Sequence, residues 1–572
     1  MRLAALAVLV AAPLLLAGLG RIPFDDPGEG MHAEIARELA LSRDPFALTL
    51  NGVRYVDKPP LLYVLIALVS AVAGPSEAAA RAVSAVAATA AVGATVWLGA
   101  HLLGWRGGLV AGVALLTGSG FYAYGRYVRP EALFVAALAG GFALCLTGIR
   151  QRRRWRCAAG LAVFGFASLA KDPLGAVLPP LAIGLALALA GRARPLGAWL
   201  PWPGVVACLV IGFGWWIAAE VSTPGFGWYT AIDNHVLNVA RARHFADEDV
   251  PLTALQFLAV AVGWTGPWIV AAGVAIWSLA RRRAWRDPDE VAWTALALWA
   301  LGVLVVTALS PFRLAHYGLP ASFALALLAA RAWEIDGGRR LALVHAGLFA
   351  VIGLSMALAW TGAGPRLYAA IIDTVDAAAK KSIAAGLPAP IPPFADFRPL
   401  FRVTAIVFGA GALAIVLAIR AAASAERRRT LVVTIVTVTM IASLPSVAVG
   451  LGLVATHRAV RELARNVARL AGPDDVVAHE GPIENSGAFE WYAGRRPVIV
   501  DGRRSVLGFG AERPEARDLF WDEARLRDAW ASGRRVWVVS VRSPARSVVA
   551  GLPAARLLGV SGGRSLWMNE IR

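Results

Sequence analysis

Cysteine is almost missing. Only Cys145, Cys157 and Cys208 occur in 572 residues, all in or beside apolar runs. A disulfide framework is excluded as the source of stability, and the three read as small buried apolar side chains. Charge is equally thin: 16% of residues are Asp, Glu, Lys or Arg against 58% apolar. A soluble protein of this size could not cover its surface with so few charges, so the composition points to an integral membrane protein. No Walker motif, Rossmann glycine pattern, H-E-x-x-H or G-x-S-x-G is present, so ATP-driven transport has no support and no nucleotide cofactor is expected. His479-Glu480 has no second metal-spaced histidine and reads as structural. There is no internal repeat.

What is present is a series of long apolar runs, and a mean hydropathy of +0.60. A membrane span needs about 20 apolar residues. Spans are expected at roughly 3–20, 77–101, 107–123, 131–149, 157–171, 174–190, 203–220, 256–279, 291–309, 317–333, 341–361, 401–421 and 430–455, about thirteen in all. The first run is long for a signal peptide and no A-x-A site precedes Arg21, so it reads as an uncleaved span. Residues 59–73 are too short to cross and suit an interfacial or re-entrant helix.

The formal net charge of +18 could suggest nucleic acid, but the arginines sit in short tracts between apolar runs. That is the positive-inside pattern. With the N-terminus inside and thirteen spans, the tracts at 150–156, 192–194, 281–286, 339–340 and 427–429 all fall on the cytoplasmic side. The loop 21–76, the stretches 124–130 and 310–316, the loops 221–255 and 362–400 and the tail then face outward. No nucleic-acid partner is expected; membrane lipids are.

Residues 456–572 have a different composition. A helical stretch at 457–471 precedes β-prone runs at 476–478, 497–500, 536–541 and 566–568, with a polar helical pattern at 514–531. Strands alternating with helices predict a small α/β domain on the outer face. The division expected is therefore a transmembrane unit, 1–455, and an extracytoplasmic domain, 456–572. Residues 386–400, with Pro388, Pro390, Pro392, Pro393 and Pro399, read as a stiff connector.

The chemistry gathers at one face. Asp25, Asp26 and Glu29 open a polar loop and lead by a Pro27-Gly28 turn into a helix at about 31–42. They either cap that helix or present carboxylates for a hard divalent cation or a general base. Asp57-Lys58-Pro59-Pro60 ends the loop, with Lys58 either an interfacial anchor or the partner of a lipid phosphate. Glu131, in Arg126-Tyr127-Val128-Arg129-Pro130-Glu131, tops a span and needs a cation or metal partner. Lys171-Asp172-Pro173, then Arg313, His316 and Tyr317, put more cations on the same side. The loop 221–255 adds Arg241, Arg243 and His244, followed by Asp247, Glu248 and Asp249. Its length suits a mobile lid, although plain surface solvation explains its charges equally.

The runs His32-Ala33-Glu34-Ile35-Ala36-Arg37-Glu38-Leu39, Leu50-Asn51-Gly52-Val53-Arg54-Tyr55 and Asp57-Lys58-Pro59-Pro60-Leu61 closely resemble the first outer loop of a known group. It is the GT-C-fold aminoarabinose transferases and dolichyl-phosphate-mannose protein mannosyltransferases. Arg129-Pro130-Glu131, Lys171-Asp172-Pro173-Leu174-Gly175 and His316-Tyr317-Gly318-Leu319-Pro320 resemble later landmarks of the group, in the right order. The resemblance covers residues 1 to about 330. One departure matters: Gly28-Glu29 stands where the group usually has adjacent Asp-Glu, leaving Asp26 or Asp25 as substitutes. Glu131 likewise stands where the group more often has aspartate.

The resemblance implies an inverting transfer of sugar from a polyprenyl-phosphate donor, undecaprenyl phosphate in a bacterium, to a lipid A-like glycolipid, another glycan or a protein at the outer face of the inner membrane. It implies Asp26, Glu29 and Glu131 as the acidic catalytic set, with a divalent metal among them as one option. Lys58 would hold the lipid phosphate, helped by Tyr317, His316, Lys171, Arg241 and Arg243. Two other classes compete: a polytopic transporter and a non-catalytic binder of lipid-linked sugars. A transporter needs ionisable groups at mid-span, and here they gather at one face.

Overall fold

The computed structural model describes residues 2–246, 249–335, 339–384 and 390–570. Each apolar run expected to be a span is helical. In chain order, α1 (Arg2–Leu16) leads to the first loop, which holds α2 (Gly30–Ser42), a small hairpin of β1 (Thr49–Leu50) and β2 (Val53–Arg54), and α3 (Leu61–Ala73). At 13 residues α3 is about 20 Å long, too short to cross a hydrocarbon core of about 30 Å.

The helix α4 (Glu77–Thr117) is one element of 41 residues, broken at Gly104, where φ is 79°. Only glycine takes that conformation cheaply. The halves fold back on each other, so closely that a Cβ at Gly108 would meet the Ala100 nitrogen at 2.7 Å. The two runs around Gly104 therefore form a helical hairpin. Next come α5 (Ser119–Tyr124), α6 (Glu131–Arg150), α7 (Arg154–Ala170), α8 (Leu174–Leu189), α9 (Trp202–Ser222) and the loop helix α10 (Phe226–Trp228), continued as a π-helix over Tyr229–Leu237.

The run expected as one span at 256–279 is two helices, α11 (Ala254–Thr265) and α12 (Trp268–Arg281), bent by 105°. Gly266-Pro267 is the break, because proline has no N–H to continue the ladder. The bundle is completed by α13 (Val291–Leu309), α14 (Ser322–Ile335), α15 (Arg339–Trp360), the outer α16 (Pro365–Val375) and α17 (Ala377–Ala384), then α18 (Arg398–Ala421) and α19 (Ala425–Arg458). Seven helices are individually long and apolar enough to cross a membrane among the described residues, eight if the bent pair is one span. Others, such as α1 and α8 with 15 and 16 residues, fall short of that length. The chain is a polytopic helical membrane protein.

After α20 (Arg461–Leu470) the tail forms β3 (Val476–Glu480), α21 (Phe489–Ala493), β4 (Val498–Val500), α22 (Gly508–Ala511), β5 (Phe520–Trp521), α23 (Glu523–Ala531), β6 (Val536–Ser540), β7 (Ala555–Ser561) and β8 (Arg564–Asn569). The sheet order is β5-β4-β3-β6-β8-β7, with β3 to β6 parallel and β7 and β8 antiparallel. Central β6, Val-Trp-Val-Val-Ser, is buried at every position, as a strand covered on both faces should be. The short β5 and the edge strand β7 are additions to the strands expected from sequence.

The tail does not keep its core to itself. Phe24, Ile35, Leu50, Val53, Tyr55 and Tyr63 of the first loop pack in one buried cluster with Val460, Ile483, Phe489, Ile499 and Trp537 of the tail. Polar contacts cross the same boundary. Asn51 donates to the Pro497 carbonyl at 3.0 Å, and Arg37 and Arg496 run between Glu34, Glu38 and Glu490.

Candidate active site

The first residue of α6 organises the site. Pro130 opens that helix, and Glu131 follows it, 3% exposed. Its Oε1 lies 3.2 Å from the Lys171 ammonium, at the end of α7, and 3.4 Å from His316 Nε2, in the turn before α14. Arg129 reaches His316 Nδ1 at 3.4 Å, and Lys171 sits 5.2 Å over the Tyr317 ring. Three segments far apart in sequence thus bring together residues expected from their motifs. Glu131 Oε2 and Arg129 Nε are buried without a partner among the described residues, so this corner keeps hydrogen-bonding capacity for a ligand.

Lys58 arrives from the first loop. It is half-buried and paired with the Asp57 carboxylate. Burial alone would raise that carboxyl, but the Lys58 charge and hydrogen bond, with Arg243 and His32, together hold Asp57 below the usual range. His32, on α2, is buried and shares a 3.0 Å contact from Nδ1 to the Tyr63 hydroxyl. Burial pushes His32 down to about 3, and it feels Arg129, Glu131, Lys58 and Asp57 in turn, which places it between the lysine end of the loop and the Glu131 corner. Its imidazole is neutral at pH 7. No catalytic pattern in the sequence singles out His32, although it sits in the first-loop run.

The loop after α9 reaches the site at two points. His235 Nε2 lies 3.1 Å from the Asp172 carboxylate, which with Lys58 acting on both places the pair beside the site. Arg243 bears on Asp57 and is held by Asp233 at 3.6 Å. Arg241 is different: it is exposed at the end of the loop helix and forms no ion pair with the cluster among the described residues. The expected acids Asp247 and Glu248 lie outside the described residues, as does Pro388 of the connector.

The acidic start of the first loop has structural duties. Glu29 is 1% exposed; its oxygens take Arg81 Nε at 2.8 Å and Arg81 NH2 at 2.5 Å, together with the backbone N–H groups of Asp25 and Val128. Asp26 accepts from the backbone of Ala488 at 3.1 Å and Val460 at 3.2 Å, fastening the loop to the tail. Burial raises its carboxyl to about 7. The expectation that Glu29 and Asp26 present free carboxylates beside Glu131 is therefore corrected. All four of their oxygens are occupied by Arg81 and by backbone donors.

The same geometry does not fit a metal. Asp26, Glu29 and Glu131 do not form one ligand set, since a cation at Glu29 would have to displace Arg81. Three carboxylates do converge elsewhere, Glu34, Glu38 and Glu490. Arg37 and Arg496 already lie among them and supply the positive charge.

Of the three acids that open the first loop, Asp25 has an oxygen to spare. Its Oδ2 accepts from the Tyr127 hydroxyl and lies 3.7 Å from Arg458, while Oδ1 is buried and unpartnered among the described residues. Burial raises its carboxyl above the usual range despite Arg458. Tyr127 also explains Gly28: a Cβ there would overlap the tyrosine hydroxyl. The position where the resembling group has aspartate is filled from another segment.

The fold is a polytopic helical membrane protein with a cation-rich polar site where Glu131 begins α6 and Lys171 ends α7. The comparisons agree. The dolichyl-phosphate-mannose-protein mannosyltransferase family model matches residues 57–217. Undecaprenyl phosphate-alpha-4-amino-4-deoxy-L-arabinose arabinosyl transferase 2 of Pseudomonas fluorescens is 28% identical over 348 residues, 56% of this chain and 55% of that protein. Transferase 2 of Sodalis glossinidius is 26% identical over 325 residues, 55% of this chain and 56% of its own. The chain spans about half the length of the curated relatives it matches. The crystal structure of ArnT from Cupriavidus metallidurans bound to undecaprenyl phosphate superposes with a TM-score of 0.79 at 21% identity, covering 99% of this chain and 98% of that one. The resemblance read in the first loop is borne out, and the fold is that of the aminoarabinose transferase group.

Proposed function

We propose that the protein is a membrane glycosyltransferase that moves a sugar from a polyprenyl-phosphate donor to an acceptor with inversion at the anomeric carbon. The observation that carries this is the meeting of Arg129, Lys171 and His316 at Glu131, with the Lys58 charge acting on Lys171 and His316 from the first loop and unpartnered buried polar atoms left beside them. In this reading the acceptor oxygen forms a bond to the anomeric carbon as the bond to the phosphate oxygen breaks. The lipid phosphate leaves carrying both electrons of that bond. Lys58 and Lys171, with Arg129, stabilise its charge, so that catalysis rests on positioning and electrostatics. Asp25, with its free oxygen and raised carboxyl, takes the acceptor's proton.

The donor that the relatives' name suggests is undecaprenyl phosphate carrying 4-amino-4-deoxy-L-arabinose, and the acceptor a lipid A-like glycolipid, with other glycans or proteins as alternatives. The same reading has thirteen spans in a bacterial inner membrane, the N-terminus in the cytoplasm, and the site and tail outside. A tag after residue 572 should be reachable from the outer side. Purified protein given that donor and lipid A should add one sugar mass to the acceptor. Unchanged lipids, glycans and proteins in cells with and without the protein would overturn the reading in favour of a binder.

A further inference from the structure

The loops leaving β3 and β4 pack against the first loop, Gly487 at Met31 and Gly510 at Arg54. The loop leaving β4 carries α22, and Phe509 on it is 8% exposed. Its ring lies 5.3 Å from Tyr229 and 5.6 Å from Phe245, both in the loop after α9. The buried cluster around it consists of Val56, Ala219, Phe226, Tyr229 and Phe509, with Trp215, Trp216 and Phe245 at its edge. Val56 directly precedes Asp57 and Lys58. Next to Phe509, Gly510 leaves no room for a side chain against the Arg54 carbonyl. Arg513 donates to the Pro224 carbonyl and lies 4.7 Å over the Phe509 ring.

We propose that Phe509 is a positioning residue for the lipid-phosphate site: it wedges behind Val56 and Tyr229 and so seats Lys58 and Arg243 together. The proposal rests on the glycosyltransferase reading above. Three segments meet at this one ring, the first loop through Val56, the loop after α9 through Phe226 and Tyr229, and the tail through Phe509 itself. Beyond the wedge, the loop after α9 makes its site contacts. His235 reaches Asp172, and Asp233 holds Arg243 while taking the His244 N–H at 2.6 Å. Without the wedge, neither Lys58 nor Arg243 has an apolar backing to fix its reach. Binding of the phosphate suffers first, because a cation displaced by an ångström no longer meets its partner. Phe509 does not touch the reacting atoms.

The experiment compares wild type, Phe509→Ala and Phe509→Leu in detergent, measuring undecaprenyl phosphate binding and steady-state transfer. For Phe509→Ala the Kd and the donor KM should rise about tenfold while kcat stays within about threefold. Phe509→Leu, which refills the space, should recover most of the loss. A wild type that binds the lipid and a Phe509→Ala variant that binds it equally would overturn the proposal, as would a fall in kcat alone. Wild type that fails to bind undecaprenyl phosphate would instead sink the glycosyltransferase reading on which this one stands. Should Phe509→Ala not accumulate, Arg513→Gln loosens the same wedge from the surface and should raise KM in the same direction; an unchanged KM there counts against the wedge.

Discussion

The Arg81 guanidinium grips the Glu29 carboxylate by two hydrogen bonds, with both side chains 1% exposed. Three further hydrogen bonds from Arg81 go to the carbonyls of Leu19, Ile22 and Pro23, so the pair closes the turn between α1 and α2. Removing one member of a buried pair strands the other's charge, at about 3–5 kcal/mol. Arg81→Met should therefore lower the melting temperature and the yield of folded protein in detergent. Arg81→Met with Glu29→Leu should recover part of that loss. Asp25→Asn, in contrast, should fold normally and lose transfer activity.

Gly28 and Tyr127 are a matched pair. Gly28→Asp would restore the aspartate of the resembling group but drive it into the tyrosine hydroxyl. Overpacking of this kind costs about 1–3 kcal/mol. The variant should be less stable than wild type, by differential scanning fluorimetry, and Gly28→Asp with Tyr127→Ala should regain stability. A fully stable Gly28→Asp single variant would contradict the observed packing.

Lys58→Ala should leave insertion and melting unchanged, since its partner Asp57 is part-exposed and can be solvated. Sugar transfer should fall by at least about 100-fold, because a charge-assisted contact to the leaving phosphate is lost. Lys58→Arg should recover only a fraction, as the planar fork reaches differently from an ammonium. Mass-spectrometric product analysis reads both outcomes.

The His235–Asp172 contact should be sensitive to alkali. Its hydrogen bond to Asp172 raises His235 from 6.5 to about 9. The folded state thus binds that proton more tightly than the unfolded chain does. The stabilisation is complete below about pH 6.5 and is lost as pH rises through about 9. Protease cutting within residues 238–246 should increase across that upper window in wild type. In His235→Gln the step should be missing.

The convergence of Glu131, Lys171, His316 and Lys58 was legible in the sequence because each lies beside the end of an apolar run. Counting runs therefore puts them at one face. The duties of Glu29 and Asp26 were not legible, since their partners lie elsewhere in the chain: Arg81 is 52 positions away, and Val460 and Ala488 are 434 and 462 away. An acid beside a turn looks the same whether it meets a substrate or a distant guanidinium. The break at Gly266-Pro267 could have been read from its proline, but the apolar pattern continues through it. Edge strand β7 has a plain hairpin signal in Gly562-Gly563, which the polar residues around it obscured.

The core shared between the first loop and the tail has a consequence for biosynthesis. Lys58 leaves the ribosome early, yet the surfaces that seat its loop, from Val460 to Trp537, are translated some four hundred residues later. Contacts of that sequence separation form slowly. The nascent protein must therefore insert nearly all of its helices before its first extramembrane segment can find its final shape. A chain interrupted after α19 would hold every helix of the bundle and still lack the half of the core that folds its beginning.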